Sequence, residues 1–261
     1  MYVALYPVLL ANGEAGMARI FITGSADGLG LAAASTLLAQ GHQVIVHARN
    51  EQRLAAVQEL LKQGASAVVG DLSNQQQTTA LAEKINHLGQ MDAIIHNAGV
   101  YTGKQVLPVN VVAPYLLTAR ISKPRRLIYL SSGMHLDGRP QLKKLDWTGK
   151  TPSGSYSDSK LFVTAFAAAI ARLWPDVISS SVNPGWVPTK MGGPNAPDDL
   201  RLGHLTQEWL AVSDDADVKR SGGYWYHQHR DEAHAASQDV VFQTALLNDL
   251  ERATGVSLPT S

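Results

Sequence analysis

Tyr156 and Lys160, in the run Tyr156-Ser157-Asp158-Ser159-Lys160, are the residue types and the spacing best suited to moving a proton. Four residues apart, the two side chains share one face of a helix. A free phenol ionises near pH 10 and is a poor base at neutral pH. An ammonium beside it favours the phenolate and is expected to lower that value. The same group, as phenol, can protonate an alkoxide. Taken alone this pair is a frequent chance pattern on helices. Its place matters: an apolar run upstream, Leu127–Leu130, ends in Ser131-Ser132.

A second constellation is suited to an anion. Gly24-Ser25-Ala26-Asp27-Gly28-Leu29-Gly30 follows directly on the apolar run Ile20-Phe21-Ile22 and opens a helical pattern. Glycine allows a tight turn and close approach of backbone to a ligand. The N–H groups at the start of the helix then face a phosphate. A plain strand–helix turn also explains three glycines, and the strand before and helix after favour the dinucleotide reading.

These residues require a particular set of elements. Apolar strand-like runs recur at Arg19–Thr23, Val44–His47, Ala67–Val69, Ala93–His96, Leu127–Leu130 and Ile178–Val182. Between them lie helical patterns at Gly30–Gln40, Glu51–Gln63, Asn74–Leu88, Asn110–Ser122 and Tyr156–Trp174. Strands that alternate with helices and lack an in/out alternation predict a buried parallel sheet. The fold class is therefore α/β: a single doubly wound Rossmann-type sheet with helices on both faces. Its ligand crevice lies at the C-terminal ends of the strands. With no linker, repeat or low-complexity block, residues 17–261 are expected to form one domain. Residues 1–16 read as an N-terminal extension, with an extra strand or a weak membrane contact as the rival reading.

Composition excludes several classes. Lys+Arg and Asp+Glu both number 22, so no net field favours nucleic acid. There is no cysteine, which removes disulfides, thiolate zinc sites and cysteine nucleophiles and fits a cytoplasmic location. No apolar stretch is long enough to span a bilayer. Gly149-Lys150-Thr151 lacks the upstream glycine of a P-loop, since Lys144 stands there. No Gly-x-Ser-x-Gly elbow occurs. His227, His229 and His234 match no zinc spacing and read as surface, so no metal is expected.

The spacing Thr-Gly-x-x-x-Gly-x-Gly resembles that of the short-chain dehydrogenase/reductase family, and further segments agree in order over about residues 17 to 190. The longer stretch between Ser132 and Tyr156 is similar to the retinol-dehydrogenase-like and carbonyl-reducing branches. The resemblance implies an oxidoreductase that moves a hydride between nicotinamide and a small-molecule carbonyl or alcohol. It implies Ser132 polarising the substrate oxygen, Tyr156 as acid/base, Lys160 holding the ribose, and Asn110 supporting a water in a proton relay. Neutral hydroxyl donation suits a carbonyl becoming an oxyanion. Cofactor contacts carry over to Gly24, Ser25, Asp27, Gly28, Leu29 and Gly30, then to Asp71-Leu72 beside the adenine and Asn97-Ala98-Gly99 along the cofactor. Pro184, Gly185, Val187 and Thr189 would meet the carboxamide. At the second strand end Ala48 stands where an NAD-selective acid is expected, and Arg49-Asn50 follow. A guanidinium suits a 2′-phosphate, so NADP(H) is preferred over NAD(H).

Departures from the family pattern are also visible. His96 replaces a usual asparagine, and the segment around Asn110 looks trimmed. The helix after Asn110 commonly forms the oligomer interface, so a homo-oligomer of the usual tetrameric kind is in doubt. Segments 133–155 and 190–235 are expected to cover the substrate, with a plain surface loop as the alternative for the first. Trp225 reads as pocket cover or as core. A catalytically weak NADP-binding sensor or scaffold of the same fold is the competing function.

Overall fold

Alternation hidden in the apolar runs builds the core. A computed structural model describes residues 16–260, and the segment read as an N-terminal extension lies, but for Gly16, outside the described residues. Strand β1 (Arg19–Ile22) sends Phe21 to one face of the sheet and Ile20 and Ile22 to the other. Strands β2 (Gln43–Ala48), β4 (Ala93–His96) and β5 (Arg126–Leu130) do likewise, with Ile45, Ile94 and Leu127 beside Phe21 and Val46, Ile95 and Ile128 on the opposite face. Both faces are covered by helices, so both alternate sets are apolar.

The sheet has eight strands in the order β3-β2-β1-β4-β5-β6-β7-β8, where β3 is Ser66–Val69, β6 Ile178–Asn183, β7 Gly223–Tyr226 and β8 His229–Asp231. All neighbours pair in parallel except β7 with β8, which form an antiparallel hairpin. His227 and Gln228 make its two-residue turn with positive φ at both positions. The chain leaves β1 towards β2 on one side and returns to β4 on the other, so the crevice opens between the C-terminal ends of β1 and β4.

Helices α1 (Gly28–Ala39), α2 (Gln58–Lys62) and α6 (Leu200–Val212) cover one face. Helices α3 (Gln75–His87), α4 (Ala113–Arg120), α5 (Tyr156–Leu173) and α8 (Val240–Thr254) cover the other, with α7 (Ala235–Gln238) a single turn against α5. The expected helix Glu51–Gln63 is a 3-10 turn over Glu51–Val57 before α2. The Asn50 carboxamide caps its start by accepting from Arg53 N at 3.2 Å. The expected helix at Asn110 opens as a π-helical stretch, Pro108–Val112, that runs into α4. Trp225 is buried on β7, edge-on to Trp209, and is core.

The outer side of α4 and α5 is occupied by the chain's own C-terminal segment. The Tyr115 hydroxyl donates to Val256 O at 2.6 Å and Trp174 Nε1 to Pro259 O at 3.1 Å. Phe242 and Trp147 both lie against Phe162. Segment 133–155 therefore has two parts. A 3-10 turn, Gly133–Asp137, stays at the end of β5, and the remainder crosses the start of α5. A Cβ at Gly138 would stand 2.6 Å from Leu161 Cβ, a measure of how closely it crosses.

Candidate active site

The start of α5 is fixed to one residue. The Ser155 hydroxyl accepts from Asp158 N at 3.0 Å, and the Asp158 carboxylate accepts from Ser155 N at 2.9 Å, a reciprocal capping box. Tyr156 is thus the first helical residue and Lys160 lies one turn on. Both side chains line a cleft of about 410 Å³ at the C-terminal ends of β1, β4 and β5.

Burial governs both groups. The Lys160 amine donates to Leu130 O at 2.6 Å, and burial pulls it down to about 8. The Tyr156 phenol is pushed up to about 12: burial is the larger effect, and the bond with the Ser132 side chain opposes it. Lys160 is expected to lower the pKa of the Tyr156 phenol; the net shift runs the other way, and its largest cause is burial. The amine, 5.4 Å from the Tyr156 ring centre, is directed to Leu130 O, and desolvation is the largest effect on the phenol. At neutral pH the site holds a phenol beside an ammonium.

Ser132 ends β5 as the cap of the 3-10 turn, its hydroxyl accepting from Met134 N at 3.2 Å. Its carbonyl is held by two buried side chains, His135 of the same turn and Tyr224 of β7. His135 Nδ1 lies 2.8 Å from Ser132 O and the Tyr224 hydroxyl 3.3 Å from it. His135 Nε2 accepts from His234 N at 3.0 Å, so Nδ1 carries the proton and donates. Burial lowers the His135 pKa, which keeps that neutral tautomer. His135 had no signal of its own in the sequence.

Asn110 sits in the π-helical stretch, a distortion that often marks functional positions. Its amide is committed to protein partners: Oδ1 accepts from Val100 N at 2.8 Å, and Nδ2 donates to Val100 O and Ser159 Oγ, each at 3.0 Å. It ties the segment after β4 to α5, behind Tyr156.

The glycine turn is rigid. Gly24 has φ of +63°, and a Cβ there would stand 2.8 Å from Ala98 Cα. Gly24 N donates to His47 Nδ1 at 2.9 Å, and His47 Nε2 donates to Gly70 O at 2.8 Å. Ser25 does not reach the cleft as expected. It is buried, with its hydroxyl donating to Ile22 O and accepting from His47 N. Gly30 also lies behind the wall, where a Cβ would stand 2.4 Å from Asn97 Nδ2. Asn50, Gly185 and Val187 lie off the cleft as well. Asn50 is used in capping, Asp198 crowds the position of a Gly185 Cβ, and Val187 is buried against Gly203. Asp27, Gly28, Leu29, Arg49, Asp71 and Leu72 line the cleft together with Asn97, Ala98, Gly99, Pro184 and Thr189.

Two cations there were missed. Arg53 donates to Asp27 Oδ2 at 3.0 Å, and Lys190 bonds the same oxygen. The Lys190 bond, ahead of that from Arg53, holds the Asp27 carboxyl below its usual value. Asp27 also caps α1, accepting from Gly28 N. Arg53 could have been suspected as a second basic residue after β2. Its partner across the turn is a tertiary contact with no sequence signal.

A nicotinamide dinucleotide fits this donor set. The glycine turn leaves no Cβ between strand and cleft, the start of α1 faces it, and Arg49, Arg53 and Lys190 supply positive charge. Among the described residues no grouping of three or more His, Asp or Glu could hold a metal ion, and no helix is long and apolar enough to cross a membrane.

Comparison with known proteins agrees. The family model described as short chain dehydrogenase matches residues 18–124. An uncharacterised oxidoreductase of Emericella nidulans is 40% identical over 93% of this chain and 99% of its own length. A short-chain dehydrogenase of Gibberella zeae is 36% identical over 93% and 99%. The solved structure of a blue fluorescent protein from a metagenomic library, in complex with NADPH, superposes with a TM-score of 0.66 at 22% identity, over 80% of this chain and 95% of that one.

Proposed function

The chain belongs to the short-chain dehydrogenase/reductase family and is an NAD(P)-dependent oxidoreductase; on that premise we propose that it reduces a carbonyl group with NADPH, Tyr156 giving the proton. One observation carries this reading: Tyr156 and Lys160 lie on the wall of the same cleft that the glycine turn enters. A phenol is the form needed to protonate an alkoxide.

When bound, a reduced nicotinamide cofactor supplies the hydride and is itself oxidised. The C=O π pair moves to oxygen as the carbon–hydrogen bond forms. Ser132 Oγ donates to that oxygen and steadies its charge. Tyr156 transfers its proton to it, and the Lys160 ammonium stabilises the phenolate that remains. Asn110 acts as the anchor of the segment opposite α5.

NADPH is favoured over NADH because β2 ends in Ala48-Arg49, with no acid for a ribose 2′-hydroxyl, and Arg53 adds a second guanidinium. The superposable metagenomic protein, bound to NADPH, is consistent with that preference. The presence of Ser132, Tyr156 and Lys160 together argues against a role limited to binding. The covered outer side of α4 and α5 favours a monomer. The test is titration of the protein with NADPH and NADH, followed by cofactor depletion over a panel of ketones and aldehydes. Tighter NADPH binding with turnover is expected. Turnover with NADH alone, or consumption of neither cofactor, would overturn the reading.

A further inference from the structure

Scattered exposed apolar residues are ordinary on a protein surface; their concentration at one place is not. Of the twelve large apolar side chains exposed among the described residues, five belong to the segments that follow β4, β5 and β6, next to the proposed reacting groups. Tyr101 is 48% exposed, with its ring centre 4.8 Å from that of Tyr156. Met134 is 38% exposed and its backbone N–H holds the Ser132 hydroxyl; Leu136, two residues on, is 57% exposed. Met191, 47% exposed, shares the cleft wall with Tyr156 and Lys160. Trp186 is 60% exposed yet fixed, since its Nε1 donates to Gly192 O at 2.8 Å beside Met191.

Arg49 apart, the cations of the cleft are paired or buried, and the one adjacent to the rim in the chain, Lys190 beside Met191, is bonded to Asp27. Arg53 and Lys190 are drawn to Asp27 at the glycine turn, and Arg49 stands at the end of β2. Lys160 is buried and directed to Leu130 O. The charged group held next to the rim is Asp198, whose carboxylate accepts from Trp186 N at 2.6 Å. A carboxylate there repels an anionic substrate, and the guanidiniums among the described residues lining the cleft, Arg49 and Arg53, stand at and beyond the end of β2.

We infer that the site takes an uncharged, ring-bearing ketone or aldehyde whose apolar framework extends out of the cleft onto Tyr101, Met134, Leu136, Trp186 and Met191. This rests on the carbonyl-reductase reading and narrows it to one substrate class. Rigid rings match such a rim because aromatic faces stack at little entropic cost. A sugar or short hydroxyketone would leave the rim in water, and an acid or phosphate would meet Asp198.

The test uses three probes on the full chain saturated with NADP⁺: 9-fluorenone, 9-fluorenone-2-carboxylate and dihydroxyacetone. Quenching of tryptophan fluorescence reports binding, and NADPH depletion in a parallel assay reports turnover. The expected result is saturable quenching by 9-fluorenone, at least about tenfold tighter than by its carboxylate, with none by dihydroxyacetone. Trp186→Ala, read by competition or calorimetry, should weaken 9-fluorenone about tenfold and leave the NADPH Kd unchanged. Tyr101→Ala should act in the same direction. Fluorenone that binds but is never reduced would support the rim and refute the hydride reading. Dihydroxyacetone reduced without fluorenone binding would overturn the substrate class and leave the reductase standing. No binding of fluorenone, equal binding of the carboxylate, or no effect of Trp186→Ala would each overturn the inference. So would a dimer that Trp186→Ala dissociates, since the rim would then be the seat of a second copy.

Discussion

Replacing Lys160 by methionine removes a buried charge while keeping an unbranched chain of similar length. Burial holds the amine at about 8, against 10.5 for an exposed lysine. At pH 7 the amine is charged in both folded and unfolded chains, and burying that charge costs about 3 kcal/mol. Against this stands the bond to Leu130 O, a charge-assisted contact contributing about 1.5–3 kcal/mol. The net stability change at pH 7 is thus small, but its pH dependence is not. Between pH 8 and 10.5 the unfolded chain binds the extra proton, so wild-type stability rises with pH relative to the variant. Lost packing and the lost contact add the same offset at every pH. The difference between wild type and Lys160→Met should therefore move by about 2 kcal/mol in favour of wild type from pH 7 to pH 10. Urea unfolding of both proteins at each pH measures it. A difference that stays flat, or moves the other way, would refute the claim that desolvation sets the state of Lys160.

Three further outcomes follow from other parts of the molecule. Arg49→Asp should weaken NADPH about 10- to 100-fold, by loss of a charge-assisted contact, and shift preference to NADH; equilibrium titration with both cofactors checks it. His135→Ala removes the imidazole donor to the Ser132 carbonyl, leaving its backbone N–H and Tyr224, and should lower kcat about tenfold with the NADPH Kd unchanged, while Tyr224→Phe gives a smaller loss; steady-state kinetics beside cofactor titration separates the two. The C-terminal covering of α4 and α5 predicts a monomer in sedimentation equilibrium, and deletion of residues 240–261 should bare Phe162 and produce association.

What the sequence made legible was whatever is carried by local pattern. Strands β1 to β5 declare themselves because buried parallel strands are largely apolar runs, while β6 (Ile-Ser-Ser-Ser-Val-Asn) is marked by small and β-branched residues; the glycine turn and the Tyr156–Lys160 spacing are local by nature. β8, His-Arg-Asp, is an exposed edge strand with no apolar signal, and α6 is interrupted by Gly203 and His204, so neither was expected. The 3-10 turn at Glu51 and the π-helical start at Pro108 have the composition of helix and differ in hydrogen-bond register, which spacing does not reveal. The same limit explains the site. Tyr156, Lys160 and the cleft wall followed from motif order. The contacts of Tyr224 with Ser132 and of His234 with His135, and the pairing of Asp27 with Arg53 and Lys190, join segments distant in sequence. The direction of the Tyr156 shift depends on burial, which only the three-dimensional packing sets.

The central claim is that Tyr156 delivers the proton in carbonyl reduction. Its most direct test is single-turnover NADPH oxidation by Tyr156→Phe with a carbonyl that the wild type reduces, alongside NADPH titration of both proteins. Tyr156→Phe should keep the NADPH Kd of the wild type and lower the rate by at least about 100-fold. An unchanged rate with the cofactor bound as before would contradict it.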